Sequence, residues 1–202
     1  MNNQSKSAYQ ETREELLVTI ADVLGRDKRI QAAWLTGSYG RDQNDAVSDV
    51  DITLVIGEQF VPDLCVRSEM VTASPDAARM VFFSQFGQPI VVHENNYNAP
   101  GGGTFTAVLY HPATVMVDWT LCPRSEAIRP SDTRLLFDHV GIPAALPSGP
   151  TTQTSDNKDI AQAIAFFWMM ACVTAKYIVR GEAVLAVCQL EELAKLSEDV
   201  GR

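Results

Sequence analysis

Two aspartates, Asp49 and Asp51, stand one residue apart at the head of the apolar run Ile52-Thr53-Leu54-Val55-Ile56. Aspartate is depleted in strands and costly to bury, so a sequence that drives Asp51 into such a run needs a compensating partner. On a strand, alternate side chains share a face, and both carboxylates would point the same way. Side by side they repel, and magnesium between them removes that penalty. A third carboxylate, Asp118, lies inside another apolar run, Val115-Met116-Val117-Asp118-Trp119. If the two runs are neighbouring strands, three acidic groups converge on one face. That cluster suits two magnesium ions clamping an in-line phosphoryl transfer.

Gly37-Ser38, at the end of a further apolar run, supplies the complementary half. Glycine lets the backbone approach a phosphate closely, and the free N–H groups of a helix starting there favour an anion. The serine hydroxyl adds a hydrogen bond. Anion cradle and metal clamp together imply a nucleoside triphosphate.

The remaining chemistry-bearing residues are less specific. Arg41 either touches phosphate or is an exposed arginine at a helix start, and Asp42 and Asp45 read as surface charges or caps. The run Gly101-Gly102-Gly103 lacks the Lys-Ser/Thr of a phosphate-binding loop and reads as a flexible hairpin turn. Trp119 and Trp168 read as core. The four cysteines form no C-x-x-C pair and the three histidines are scattered, so zinc is not indicated by spacing.

These residues must be carried by elements legible in the pattern. Glu11 to Leu24 has apolar residues at helical spacing with Gly25 as a stop, Ile30–Leu35 reads as a short buried strand, and Val50–Ile56 as a second. Val61 to Phe86 is mixed, with Pro75 interrupting it and a helix expected around Ser74 to Phe86. Pro89 to His93 reads as a strand. Thr104–Tyr110 and Thr114–Leu121 read as a hairpin. Gly141 to Lys158, rich in Pro, Ser and Thr, reads as a linker, with Asp156 or Asn157 capping a helix from Asp159 to Arg180. Gly181 stops that helix and another follows from Glu182 to Leu196. Two helices cannot build a stable core alone, so they must pack on the first domain, on another subunit or on further residues. The domain reading is 1–140, a linker 141–158 and a helical region 159–202.

Composition sets the outer bounds. With 202 residues, 46% of them hydrophobic, the chain can bury a sizeable core. A net charge of −9 and a pI near 4.7 argue against a nucleic-acid partner and suit a cationic small molecule. The polar N-terminus lacks the apolar core of a signal peptide, and the expected location is cytoplasmic with reduced cysteines. Ile160 to Val179 is long enough to span a bilayer, but Lys176 within it argues for a packed helix and no membrane.

The stretch "GSYGRDQNDAVSDVDI", with ten residues between the serine and Asp-x-Asp, resembles the signature of the nucleotidyltransferase fold shared with polymerase β. Asp118 in "VMVDW" fits the third carboxylate on a later strand. The tail "FFWMMACVTAKYIVRGE" resembles the C-terminal helical region of bacterial antibiotic nucleotidyltransferases, which adenylylate aminoglycosides or lincosamides. The resemblance implies an α+β fold, a mixed sheet flanked by helices with a C-terminal helical appendage. It implies transfer of a nucleoside monophosphate, from ATP, to a hydroxyl of a small molecule. Gly37 and Ser38 would hold the β- and γ-phosphates, and Asp49 and Asp51 would bind magnesium. Asp118 would complete the metal site or act as general base. Glu94 and Glu182 are other candidates for that base. Lys176 either meets the triphosphate across the cleft or snorkels from a buried helix. A homodimer would give the apolar helices a partner. The rival reading is an antitoxin-like module on the same fold that binds or nucleotidylylates a protein.

Overall fold

The alternating run Val50–Ile56 becomes the strand around which the sheet is built. The computed structural model describes residues 3–65, 77–145 and 160–200. Helix α1 (Asn3–Arg26) leads into β1 (Ile30–Leu35), a single-turn helix α2 (Gly37–Gly40) and β2 (Val50–Ile56). Short helices α3 (Val61–Leu64) and α4 (Ala77–Ser84) precede three long strands, β3 (Gln88–Asn95), β4 (Thr104–His111) and β5 (Val115–Pro123). Then come β6 (Arg129–Pro130), β7 (Arg134–Asp138), β8 (Ala144–Ala145), and the helices α5 (Ile160–Arg180) and α6 (Ala183–Val200).

Six strands form one mixed sheet in the order β3-β4-β5-β2-β1-β7, and β6 pairs with β8 apart from it. Only β2 and β5 run parallel within the six; the other neighbours are antiparallel. The fold is α+β, as expected. The expected β1 and β2 match the observed strands residue for residue, and the hairpin of β4 and β5 is present with slightly longer strands. The helix expected at 11–24 runs from Asn3 to Arg26, so Gly25 lies in its last turn rather than beyond it. Strand β7, which pairs with β1 at the sheet edge, was not anticipated. Pro75 and the capping residues Asp156 and Asn157 lie outside the described residues, as does most of the 141–158 linker.

The two faces of the sheet differ in kind. One face is the core: Val50, Ile52, Leu54 and Ile56 from β2 and Val115, Val117, Trp119 and Leu121 from β5 pack against Leu16, Leu17, Ile20 and Leu24 of α1. From α4, Phe82 and Phe83 meet Trp119, with ring centroids 6.0 and 5.8 Å away, and Phe86 stacks on it at 4.8 Å. Each such aromatic pair adds roughly 0.5–1.5 kcal/mol beyond its buried area. The other face carries Asp51 and Asp118 and is covered in part by α5, whose Met169 is buried against Ala107, Leu109 and Met116. Helix α5 is long and apolar enough to cross a membrane by length and composition. Here it lies on the sheet, and Trp168, expected in the core, is 54% exposed on its outer side.

Glu94 falls on the core face, in register with Thr106 and through it with Trp119. There it takes Arg79 Nε and Nη2 as donors, both at 3.0 Å, and the Thr106 hydroxyl at 3.2 Å. Breaking such a buried pair by removing one partner costs about 3–5 kcal/mol. Glu94→Ala is therefore expected to lower the unfolding free energy by that amount in denaturant titration. An unchanged midpoint would show that the pair contributes nothing to the core.

Candidate active site

The parallel register of β2 on β5 pairs Asp51 with Asp118, Val50 with Val117 and Ile52 with Trp119. Period-two alternation then sends Val50 and Ile52 into the core while Asp51 and its partner Asp118 emerge together on the opposite face. Burial and like charge act in the same direction on both. The Asp51 carboxyl is pushed up to about 6, chiefly by desolvation and then by the charge of Asp49. That of Asp118 is raised well above the usual carboxylate range by desolvation, then by Asp51 and Asp49. Asp118 Oδ1 is buried without a hydrogen-bond partner.

Gly37 sits against this pair. Its φ of +56° lies in the left-handed region that favours glycine, and a Cβ there would collide with Asp51 Oδ2. The turn is tied to β2 by the Thr36 N–H, which donates to Asp51 O at 2.9 Å. Ser38 follows with its hydroxyl buried and unpaired. Gly40 is required for a different reason, since a Cβ would lie 2.8 Å from the Leu35 carbonyl oxygen. The sequence Gly-Ser-Tyr-Gly therefore brings backbone, not side chain, up to the carboxylates.

Across the site, Lys176 of α5 donates to Asp49 Oδ2 at 2.7 Å, and its side chain is only 11% exposed. One helical turn further on, Arg180 Nε donates to Asp45 Oδ2 at 2.7 Å. That guanidinium holds the Asp45 carboxyl well below the usual carboxylate range. Residues 45 and 49 are thus matched, four apart, by residues 176 and 180 on one face of α5.

Of the residues anticipated from sequence, Gly37, Ser38, Asp49, Asp51, Asp118 and Lys176 come together. Lys176 meets a carboxylate in this structure. Arg41 is exposed beside the cradle, its Nε 3.5 Å from Gln43 Oε1, and its charge lowers the proton affinity of Asp51. Glu94 is on the far face of the sheet, and Glu182 is exposed at the turn between α5 and α6, so neither faces the carboxylate pair. Asp45 is both a local cap, accepting from Val47 N at 3.0 Å, and an anchor for α5. Arg13 and Arg180 were missed. An arginine in an N-terminal helix or after a lysine carries no sequence signal for this role.

Among the described residues, no group of three His, Cys, Asp or Glu side chains is placed to hold a metal ion as it stands. The donor chemistry nevertheless fits a divalent cation. Asp51 and Asp118 repel each other, Asp118 Oδ1 lacks a partner, and the Asp49 carboxylate is paired with a lysine ammonium that a cation could replace.

A sequence model of the streptomycin adenylyltransferase family matches residues 10–197. No individual curated protein matches the chain. The family match spans nearly all of the sequence, including both helices of the C-terminal region. The chain belongs to the streptomycin adenylyltransferase family and is a nucleotidyltransferase.

Since Asp51 titrates near 6 in the folded chain against an ordinary 3.8, the folded state binds more protons in between. Stability of the metal-free protein should therefore fall as pH rises through that window, and stay low above it. Asp51→Asn is expected to remove that part of the decline and to be more stable than wild type at pH 7. Magnesium at pH 7 should raise the melting temperature of the wild type and not of this variant. Superimposable pH profiles would show that the two carboxylates do not strain the fold.

Proposed function

We propose that this chain transfers AMP from ATP to a hydroxyl of an aminoglycoside, with magnesium held by Asp49, Asp51 and Asp118. The observation that carries this reading is the in-register Asp51–Asp118 pair directly beside the Gly37-Ser38 turn, with Lys176 closing from α5. The family model supports the acceptor class, because streptomycin is an aminoglycoside. Net charge supports it too: a −9 chain attracts a polycationic drug and repels a nucleic-acid backbone.

Gly37 and Ser38 bind the β- and γ-phosphates through backbone N–H groups and the unpaired serine hydroxyl. Arg41, at the exit of the turn, adds charge toward the same phosphates. Lys176 exchanges Asp49 for a phosphate oxygen when nucleotide and cation enter together. With Asp118 ionised and committed to the cation when magnesium is bound, the acceptor hydroxyl gives its proton to water as its oxygen attacks. The bond from that oxygen to the α-phosphorus forms, the α–β phosphoanhydride bond breaks, and pyrophosphate leaves. Bound magnesium supplies neutralisation of the phosphate charge. The free cysteines suit a reducing compartment such as the cytoplasm.

Incubation with α-labelled ATP, magnesium and panels of aminoglycosides and lincosamides should label an aminoglycoside with release of pyrophosphate. Asp49→Asn and Asp118→Asn should each lower kcat by about 10²- to 10³-fold, the range for losing one transition-state charge contact. Near-wild-type turnover in either variant would remove the carboxylates from the mechanism. Labelling confined to a lincosamide would keep the chemistry and replace the acceptor.

Lys176→Met tests the exchange separately. It should raise the KM for ATP about tenfold, the equivalent of roughly 1.4 kcal/mol for a lost charge-assisted contact. An unchanged KM would leave Lys176 as a structural partner of Asp49 alone.

A further inference from the structure

The loop that delivers Asp49 is gripped from its buried side by an arginine that the scheme above does not use. Arg13 of α1 is 0% exposed. Its Nη1 donates to the carbonyl oxygens of Asp45, at 2.9 Å, and Ser48, at 2.7 Å. Its Nη2 reaches Glu14 Oε1 at 3.2 Å, and the same Glu14 oxygen accepts the Tyr39 hydroxyl. The guanidinium carbon lies 5.7 and 5.2 Å from the ring centroids of Tyr9 and Tyr39. Tyr39 belongs to α2, the turn that begins at Gly37. One buried cation therefore ties the phosphate-side turn to the loop that ends at Asp49.

The loop is also closed on itself. Asp45 N donates to Ser48 Oγ at 2.9 Å, and Ser48 Oγ donates to Asp45 Oδ1 at 3.0 Å. From the outer side, Arg180 holds the Asp45 carboxylate and approaches Ser48 Oγ at 3.4 Å. The two arginines differ in what they grip. Arg180 is partly exposed and, from α5, holds a side chain. Arg13 is buried and, from α1, holds two backbone carbonyls.

We propose that Arg13 is a positioning residue: it fixes residues 45–48 so that Asp49 faces the same cation as Asp51 and Asp118, at a set distance from the Gly37-Ser38 turn. A buried guanidinium is expensive to desolvate, and an apolar side chain of similar volume would fill the same space at less cost. The bonds of Arg13 run to the 45–48 loop and to Glu14, which accepts from Tyr39 of the other turn. Lysine keeps the charge but lacks the planar fork that reaches the two carbonyls with one nitrogen and Glu14 with the other. The inference rests on the metal reading given under Proposed function.

The test is Mn2+ binding, followed by the loss of its free EPR signal, together with steady-state kinetics, on wild type, Arg13→Lys, Ser48→Ala and Arg79→Lys. The last variant weakens a buried ion pair on the opposite face and serves as the stability control. Arg13→Lys and Ser48→Ala are expected to weaken Mn2+ binding at least about fivefold and kcat about tenfold, the size of one lost charge-assisted contact, with the KM for ATP within about twofold of wild type. Arg79→Lys should melt earlier and leave Mn2+ binding unchanged. Wild-type Mn2+ binding in a folded Arg13→Lys, or an equal loss in Arg79→Lys, would overturn the proposal. If Arg13→Lys does not fold, Tyr39→Phe, which cuts the Glu14-bridged link from Arg13 to the turn and leaves the loop's own bonds, decides by the same criterion. No Mn2+ binding by the wild type would overturn the metal reading, and the proposal with it; wild-type-like binding in the variants overturns the positioning role alone.

Discussion

Asp51 and Asp118 occupy paired positions on parallel strands, and no cation from within the sheet stands between them. Their repulsion is the constraint the neighbouring residues answer to. The next position along the row, on β4, is Ala107, and the turn above Asp51 is Gly37. Either place filled by a long side chain would shield the carboxylates or displace them. The small residues keep the space beside the charges open, and charge enters it from a distance, on Lys176 of α5 and Arg41 beyond the turn. Electrostatic strain of this kind is tolerated where the surrounding scaffold over-determines the geometry.

That scaffold is the opposite face. Each carboxylate is flanked in sequence by side chains that enter a dry core: Val50 and Ile52 around Asp51, Val117 and Trp119 around Asp118. A one-residue slip of either strand would bury a charge and expose a large apolar group, so register is strongly specified. Trp119 is locked by three phenylalanines of α4 and its loop, and β3 is pinned to the same helix through Glu94 and Arg79. The rigidity needed to hold two like charges together comes from packing that never touches the site.

The alternation of faces along each strand also decides what could be read from the sequence and what could not. Asp-x-Asp, Gly-Ser and Asp118 were legible because each sits in or beside a run whose alternation fixes its face, and β1 and β2 were found to the residue. Glu94 was open as a base because its face depends on how β3 meets β4. That register shifts at an irregularity between Pro89 and Val91, and the loop joining the strands is too long to fix it. Strand β7 was missed because Arg134-Leu135-Leu136-Phe137-Asp138 lies at an edge with no clean alternation of burial. Arg13 was invisible for another reason. Its acceptors are backbone carbonyls some thirty positions away, and no side-chain pattern records a backbone acceptor.

Helix α5 shows how one sequence feature carried two opposite readings. Its length and apolarity fit a bilayer, yet the charges that interrupt it, Lys176 and Arg180, are the groups that seat it on the acidic loop. With all three carboxylates ionised, as a cation would hold them, the site and its one ammonium carry a formal charge of −2. One divalent cation cancels that charge, whereas a monovalent ion leaves half of it. Such a cation relieves Asp51 and Asp118 directly and also competes with Lys176 for Asp49. Its arrival would therefore free an ammonium on α5 beside the Gly37-Ser38 turn, where the negative phosphates of a nucleotide need one. On the proposed reading, cation and nucleotide binding would be coupled through this exchange, because an ion filling the carboxylate cluster would also release the charge that the phosphate side needs.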